Sequence, residues 1–217
     1  MIRYAFLLLL VLSQFQYLQS QDPARFNPEI DSLRRLNIEN PESKSVLLFT
    51  GSSSIRMWKD IQDYFPDYYV INTGFGGSHM SDLLFYLEDL VLQYHPDQVF
   101  IYEGDNDVSE GKKAGEIRKE ARKVVEGITL SNPGAYICFI SPKPSLARWE
   151  LRTQYNKVNR SLSDYAAKNH GIEFIDVWGV MLNQEGTPKT DIFLEDGLHM
   201  TKDGYDLWAG EIIKYVK

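Results

Sequence analysis

Short apolar segments alternate with helical patterns from residue 45 onward, and this alternation most constrains how the chain can fold. Five nearly continuous apolar segments are predicted strands: 45–50, 69–72, 98–102, 135–140 and 173–177. Apolar residues at helical spacing predict helices over 81–94, 114–130, 151–169 and 202–216. Strands that are apolar on both faces and separated by helices are typical of a parallel sheet covered on both sides. We therefore expect an α/β domain of three layers, α/β/α, with about five parallel strands.

The first 20 residues differ in kind from the rest. Arg3 is followed by an apolar run from Ala5 to Leu12, and Ser20 is a small residue suited to cleavage before Gln21. A charged start, a short apolar run and a small residue are typical of a secretory signal peptide. The run is too short for a bilayer, which needs about 20 residues. We expect a signal peptide at 1–20 and an exported protein, periplasmic or secreted, whose mature chain has no stable membrane span; a buried N-terminal helix or an uncleaved anchor are the alternatives.

The polar segment that follows is predicted to be an N-terminal extension, at 21–44. Ile30, Leu33 and Leu36 are spaced by three residues, which indicates a short amphipathic helix lying on the main domain. The main domain is then expected at 45–217.

Composition excludes several classes of function. The 217 residues include 30 acidic and 23 basic side chains, for a net charge of −7, which does not suit a nucleic-acid partner. The single cysteine, Cys138, rules out an intramolecular disulfide and argues against a Cys-based zinc site. Its place in an apolar strand predicts a small buried side chain.

Polar and glycine-rich segments follow the predicted strands, where parallel sheets place their sites. The sequence Asp196-Gly-Leu-His199 precedes the last helix. A histidine can exchange a proton near neutral pH, and a carboxylate can fix its tautomer; the alternative is a surface Asp and a capping His.

Gly51-Ser-Ser-Ser54 follows the first strand and could present a hydroxyl above the sheet, or simply cap a helix. Ile55 stands where the nucleophile elbow of α/β-hydrolases requires glycine.

Two further loops offer groups for binding. Gly74-Phe-Gly-Gly77 follows the second strand and lets a backbone N–H approach a substrate oxygen, but His79 stands where a dinucleotide loop needs its last glycine. Glu103-Gly-Asp-Asn-Asp107 follows the third strand. Within it, Asn106 could donate to an oxygen that develops negative charge. The alternative is calcium, because the spacing places four residues at EF-hand positions, although Glu110 replaces the required glycine; these residues are Asp105, Asp107, Ser109 and Glu116.

These four blocks, in this order and after these strands, resemble the SGNH hydrolase superfamily of GDSL esterases and lipases, from about Ser45 to Val216. The resemblance implies a flavodoxin-like parallel sheet and a hydrolase domain at 45–217. It also implies a role for each matching residue: Ser53 as nucleophile, Asp196 and His199 as its carboxylate and base, and Gly77 and Asn106 as oxyanion donors. The Ser53 N–H is implied as a third donor. Ser52 departs from the family pattern, because most members have Asp there.

We therefore expect an exported serine esterase that acts through an acyl-enzyme, with no metal or organic cofactor. A short acyl group, acetyl in particular, on a carbohydrate or similar polar alcohol is expected because no long apolar lid is present and Trp149 could stack on a sugar ring. The resemblance places the loop containing Arg148 and Trp149 near the site mouth. The alternatives are a lipase or lysophospholipase, an acyltransferase using the same residues, and a carbohydrate-binding domain without catalysis.

Overall fold

The computed structural model describes residues 22–34 and 43–217. The predicted signal peptide at 1–20 and parts of the predicted extension, residues 21 and 35–42, lie outside the described residues. No helix within the described ranges is long and apolar enough to cross a membrane.

A five-stranded parallel sheet forms the centre of the protein. Its strands are β1 (Val46–Gly51), β2 (Tyr69–Gly74), β3 (Gln98–Tyr102), β4 (Tyr136–Ile140) and β5 (Ile172–Ile175). The order across the sheet is β2-β1-β3-β4-β5. The last residues of the first three strands are in register, since Gly51 pairs with both Gly74 and Tyr102. The loops after these strands therefore leave the sheet side by side, at the point where the strand order reverses.

Helices cover both faces of the sheet, and the predicted three-layer α/β/α architecture is confirmed. They are α1 (Asn27–Arg34), α2 (Ser53–Arg56), α3 (Ile61–Tyr64), α4 (Met80–Phe85), α5 (Leu87–Leu90), α6 (Asp105–Ser109), α7 (Ala114–Ser131), α8 (Arg152–Ala166) and α9 (Lys202–Ile212). Short 3₁₀ turns lie at Pro23–Phe26, Leu92–Tyr94, Trp149–Leu151, Gly179–Met181 and Ile213–Tyr215.

The predicted continuous helix over 81–94 is wrong. The structure divides it into α4, α5 and a 3₁₀ turn, with non-helical backbone at Tyr86 and Val91. One cause is visible in the sheet beneath, where the Thr73 hydroxyl donates to the carbonyl of Leu90 at 2.9 Å. That carbonyl is then satisfied without a further helical turn. The last predicted helix is likewise shorter, because its final residues, Ile213–Tyr215, form a 3₁₀ turn.

Alternate residues of each strand pack into two separate cores, one on each face. Leu48, Val99 and Ile137 point into the core beneath α4, α5, α7 and α8. Leu47 and Phe100 point into the core beneath α2, α3 and α9. The first core also contains Phe26 and Ile30 from the N-terminal segment, which are buried against the main domain. This segment is therefore part of the packed body of the protein.

Cys138 lies in the middle of β4 and is fully buried, as its apolar strand predicts. Burial raises the pKa of its thiol to about 12. The Gln98 side-chain amide donates to its Sγ at 3.2 Å.

Candidate active site

Ser53 is the one serine of the Ser52–Ser54 run whose side chain can reach the surface of the domain. Ser52 and Ser54 are each 2% exposed, whereas Ser53 is half-buried at the first position of α2. The chain can turn here because Gly51 has a φ of +118°, and a Cβ at this position would lie 2.0 Å from the carbonyl oxygen of Tyr102. A side chain at residue 51 is therefore excluded, and the turn fixes which serine faces outward.

A tight loop after Phe193 holds Asp196 and His199 opposite this serine. The Asp196 Oδ1 atom accepts the backbone N–H groups of Leu198 and His199, both at 2.9 Å. Its Oδ2 atom lies 2.6 Å from His199 Nδ1, and His199 Nε2 lies 2.9 Å from Ser53 Oγ. The three side chains predicted from the sequence thus form one continuous hydrogen-bonded chain across 146 residues.

The protonation of this chain follows from its partners. Partial burial raises the pKa of the Asp196 carboxyl, but the hydrogen bonds from the His199 ring and the two backbone N–H groups outweigh it and bring the pKa to about 2. An ionised carboxylate has no proton to donate, so His199 Nδ1 must be the donor in their bond. The Nε2 atom of neutral His199 is then unprotonated and can accept the proton of the Ser53 hydroxyl.

The resemblance implies three oxyanion donors, the N–H groups of Ser53 and Gly77 and the Asn106 amide. Gly77 has a φ of +76°, in the left-handed region that glycine favours. Within residues 22–34 and 43–217, neither the Gly77 N–H nor the Ser53 N–H donates to another group. The Asn106 Nδ2 atom donates to the carbonyl of Ser78 at 2.9 Å and to Ser52 Oγ at 2.7 Å. The serine at position 52 is therefore an acceptor for this amide, even though it replaces the Asp of most GDSL proteins.

The sequence around this site matches a known protein family. The model of the GDSL-like lipase/acylhydrolase family matches residues 49–207. The chain belongs to this family. It is accordingly a GDSL-like serine ester hydrolase, and the predicted membership is confirmed. Among curated proteins, none matches its sequence.

Solved structures share the fold of the GDSL-like hydrolase at low sequence identity. A protein from Streptococcus pneumonia has a TM-score of 0.78 at 18% identity, covering 95% of this chain and 98% of that one. A GDSL-like lipase from Bacteroides thetaiotaomicron has a TM-score of 0.69 at 20% identity, covering 89% and 96%. An acetylxylan esterase from Geobacillus stearothermophilus has a TM-score of 0.65 at 18% identity, covering 78% and 93%.

A buried charge cluster behind Asn106 in the GDSL-like hydrolase was not anticipated from the sequence. Asp105, one of the calcium candidates, is 4% exposed and lies 3.1 Å from Lys143 Nζ and 2.6 Å from Arg148 Nη1. Burial opposes its ionisation, but these two cations outweigh burial and hold the pKa of the Asp105 carboxyl well below its usual range. Glu116, another calcium candidate, accepts the backbone N–H of Lys113 at the start of α7. Within the described residues, no group of three or more His, Cys, Asp or Glu side chains is arranged to hold a metal ion.

The N-terminal segment of the GDSL-like hydrolase reaches the glycine loop of the site. The Gly76 N–H donates to both carboxylate oxygens of Glu29 on α1, at 3.2 and 3.3 Å. Phe26 packs edge-on against Phe75, with ring centroids 5.0 Å apart. The loop that carries Gly77 is therefore held from outside by residues far away in sequence, and no local pattern in the sequence signals this contact.

His79 and Trp149, two residues noted in the sequence, lie in surroundings that do not match those of a substrate-binding residue. His79 is 5% exposed and lines a cavity of about 480 Å³ whose lining includes Asp107 and Glu110 but none of the triad residues. Trp149 is stacked against Trp178, with ring centroids 6.0 Å apart, and the Arg152 guanidinium lies over its ring. Its half-buried ring therefore already has two neighbours within the protein.

Proposed function

We propose that this GDSL-like hydrolase removes short acyl groups, acetyl in particular, from carbohydrates or similarly polar alcohols through an acyl-enzyme on Ser53. The observation that supports the mechanism most is the 2.9 Å contact between Ser53 Oγ and His199 Nε2, with His199 Nδ1 held by an ionised Asp196. This is the arrangement that activates a serine hydroxyl as a nucleophile.

Acylation begins when Ser53 Oγ attacks the ester carbonyl carbon and its proton passes to His199 Nε2. The carbonyl oxygen becomes negatively charged in the tetrahedral intermediate. As the intermediate collapses, the C–O bond to the alcohol breaks and His199 gives its proton to the departing oxygen. Water then attacks the acyl-enzyme with His199 as base, which releases the acid and restores the Ser53 hydroxyl.

The developing oxyanion accepts from the N–H groups of Ser53 and Gly77 and from the Asn106 amide. The first two donors are free in the described structure, so they need no rearrangement. One Asn106 N–H keeps its hydrogen bond to the Ser78 carbonyl. The other, which donates to Ser52 Oγ in the structure, is shared with the oxyanion. Its contribution is therefore partly offset by the bond to Ser52 that weakens.

Three observations support a short acyl group on a polar alcohol. The triad is open to water, since the Asp196 side chain is 48% exposed and that of His199 22%. Several cavities of about 310 to 620 Å³ are lined by residues other than Ser53, Asp196 and His199. An acetylxylan esterase is among the structural relatives. An open site suits a small acyl group on a bulky polar molecule better than a long alkyl chain.

Fluorophosphonate labelling tests the nucleophile. We expect one adduct, mapped by mass spectrometry to Ser53, and a loss of kcat on the order of 10³-fold or more in Ser53→Ala. Ser54→Ala is the matched control, because Ser54 is the buried neighbour on the same helix, and it should label normally. An adduct on Ser52 or Ser54 would contradict the assignment.

A chain-length series tests the substrate class. With 4-nitrophenyl esters from acetate to octanoate, we expect kcat/KM to be highest for acetate, and we expect acetate release from acetylated xylan or acetylated glucose. Higher kcat/KM for octanoate, with no release from the sugars, would refute the carbohydrate assignment and leave the esterase mechanism intact.

One observation favours the alternative of a lipase or lysophospholipase. Leu146 and Leu194 are 40% and 42% exposed, and both contact the loop that contains Asp196 and His199. Two exposed leucines beside the triad could contact a longer acyl chain. If they do, Leu146→Ser should lower kcat/KM for octanoate several-fold and leave acetate unchanged.

Export is the remaining part of the proposal and is supported by the sequence alone. We propose that residues 1–20 are removed on export. Expression of the full chain, followed by N-terminal sequencing of the cell-free fraction, should give a mature chain that begins at Gln21. A full-length chain confined to the cytoplasm would contradict it.

A further inference from the structure

An amide can serve as an oxyanion donor only if its nitrogen, and not its oxygen, faces the substrate. Asn106 presents Nδ2 to Ser52 and Ser78, and its Oδ1 points the other way. Both neighbours on the Nδ2 side can accept a hydrogen bond, but a serine hydroxyl can also donate one. The Ser78 carbonyl can only accept and so requires Nδ2 on its side, whereas the Ser52 hydroxyl could face either end of the amide.

Arg148 fixes the same orientation from the opposite side. Its Nη1 and Nη2 atoms both donate to Asn106 Oδ1, each at 3.1 Å. A guanidinium group has five N–H donors and no acceptor, so the atom facing it must be the amide oxygen. A flipped Asn106 would place its NH₂ group against a cation, and the fork contact holds the side chain in one rotamer.

The guanidinium is itself fixed by buried partners. Asp105 Oδ1 accepts from Arg148 Nη1 at 2.6 Å and also from the Tyr155 hydroxyl. Asp105 Oδ2 accepts from the Tyr102 hydroxyl at 2.6 Å and lies 3.1 Å from Lys143 Nζ. Lys143 is 1% exposed and Tyr155 is 1% exposed, so little freedom remains in this network. A chain of contacts thus runs from the core to Oδ1 of Asn106.

The network also affects the electrostatics of the amide. Two cations, Lys143 and Arg148, surround one carboxylate, Asp105, so the cluster has a net charge of +1 in a buried setting. Charged donors on the amide oxygen withdraw electron density and make the opposite N–H groups stronger donors. A positive charge behind the amide also favours the negative oxygen that forms in front of it.

The geometry points to Arg148 as a positioning residue for the reaction: it holds and polarises Asn106 so that Nδ2 is directed at the oxyanion. Arg148 acts through Asn106 and not on the substrate. This inference rests on the proposed function, in which Asn106 is an oxyanion donor.

A double-mutant cycle with 4-nitrophenyl acetate tests it. Asn106→Ala should lower kcat by about 10²- to 10³-fold, as for other oxyanion donors. Arg148→Lys keeps the charge beside Asp105 but loses the fork, and should lower kcat on the order of tenfold with KM within about twofold. In the Asn106→Ala background, Arg148→Lys should cost less than about twofold further, since the group it orients is gone.

The control is Arg122→Lys, an exposed arginine on α7 paired with Glu126, which should behave as the wild-type protein. The inference is overturned if Arg148→Lys loses the same factor in both backgrounds, or if its loss lies in KM alone, as for a substrate contact. Full activity of Asn106→Ala would instead refute the oxyanion role of Asn106 in the proposed function.

If Arg148→Lys does not fold, as judged by circular dichroism, Tyr155→Phe replaces it in the cycle. Tyr155→Phe removes one donor to Asp105. A several-fold loss of kcat that occurs only when Asn106 is present supports the inference. An equal loss in the wild-type and Asn106→Ala backgrounds refutes it.

Discussion

Glu103→Gln should stabilise the protein, and the gain should increase with pH. The Glu103 carboxyl is 1% exposed; the Ser78 hydroxyl donates to its Oε1 at 2.6 Å, and within the described residues its Oε2 has no hydrogen-bond partner. Burial, followed by the negative charge of Asp107, raises the pKa of Glu103 well above its usual range. Within the same described ranges no cation forms an ion pair with it, whereas Asp107 has one such partner and Asp105 has two.

The magnitude follows from proton linkage. Below about pH 4.3, the ordinary pKa of a glutamate, the carboxyl is protonated in both the folded and the unfolded state. Above that pH only the unfolded state releases the proton, so the free energy of unfolding falls as pH rises. The slope is about 1.4 kcal/mol per pH unit for as long as the folded carboxyl keeps its proton. Glutamine does not titrate, so Glu103→Gln lacks this loss of stability. The difference in the free energy of unfolding between the variant and the wild-type protein should therefore increase by about 1.4 kcal/mol per pH unit.

Urea unfolding at a series of pH values from 5 upward measures the difference. The buried Trp58 and Trp208 provide a fluorescence signal for the loss of the core. Glu185→Gln, at an exposed glutamate, is the control and should show no pH-dependent gain. If the difference between Glu103→Gln and the wild-type protein is the same at every pH, Glu103 titrates like an exposed residue and the argument from burial fails.

Three other substitutions have outcomes set by the structure. Asp105→Asn leaves Lys143 buried without a full counter-charge and should destabilise the protein by about 3–5 kcal/mol, measured by urea unfolding. Gly51→Ala places a Cβ 2.0 Å from the Tyr102 carbonyl oxygen, so we expect little folded protein by circular dichroism; a normal yield with full activity would contradict that turn geometry. Phe26→Ala removes a buried ring from the first core and should cost about 3–5 kcal/mol, seen as a lower Tm.

The architecture could be predicted because it depends on local patterns, whereas the choice of Ser53 among three adjacent serines rested on the resemblance to GDSL esterases. Apolar strands separated by amphipathic helices predict the parallel sheet, and short blocks after the strands contain Ser53, Asn106 and His199. The broken helix over 81–94 could not be predicted, because its interruption involves a hydrogen bond from Thr73 in another element.

The contacts behind the site were missed for the same reason. Arg148 reaches Asn106 across 42 residues, and Glu29 reaches Gly76 across 47. Side-chain contacts at such separations depend on how the loops pack, and no periodicity or spacing encodes them. The acidic Asp105 suggested calcium from its neighbours in sequence, whereas its neighbours in space are cations.

The environment of Cys138 makes the protein well suited to site-specific labelling. Thiol reagents attack the thiolate, and a buried thiol with a pKa near 12 forms almost none at neutral pH. Since the chain has no other cysteine, a residue such as Leu146, exposed beside the catalytic loop, could be changed to cysteine and modified alone. A fluorophore or spin label placed there would lie beside the catalytic loop, where it could respond to acyl-enzyme formation.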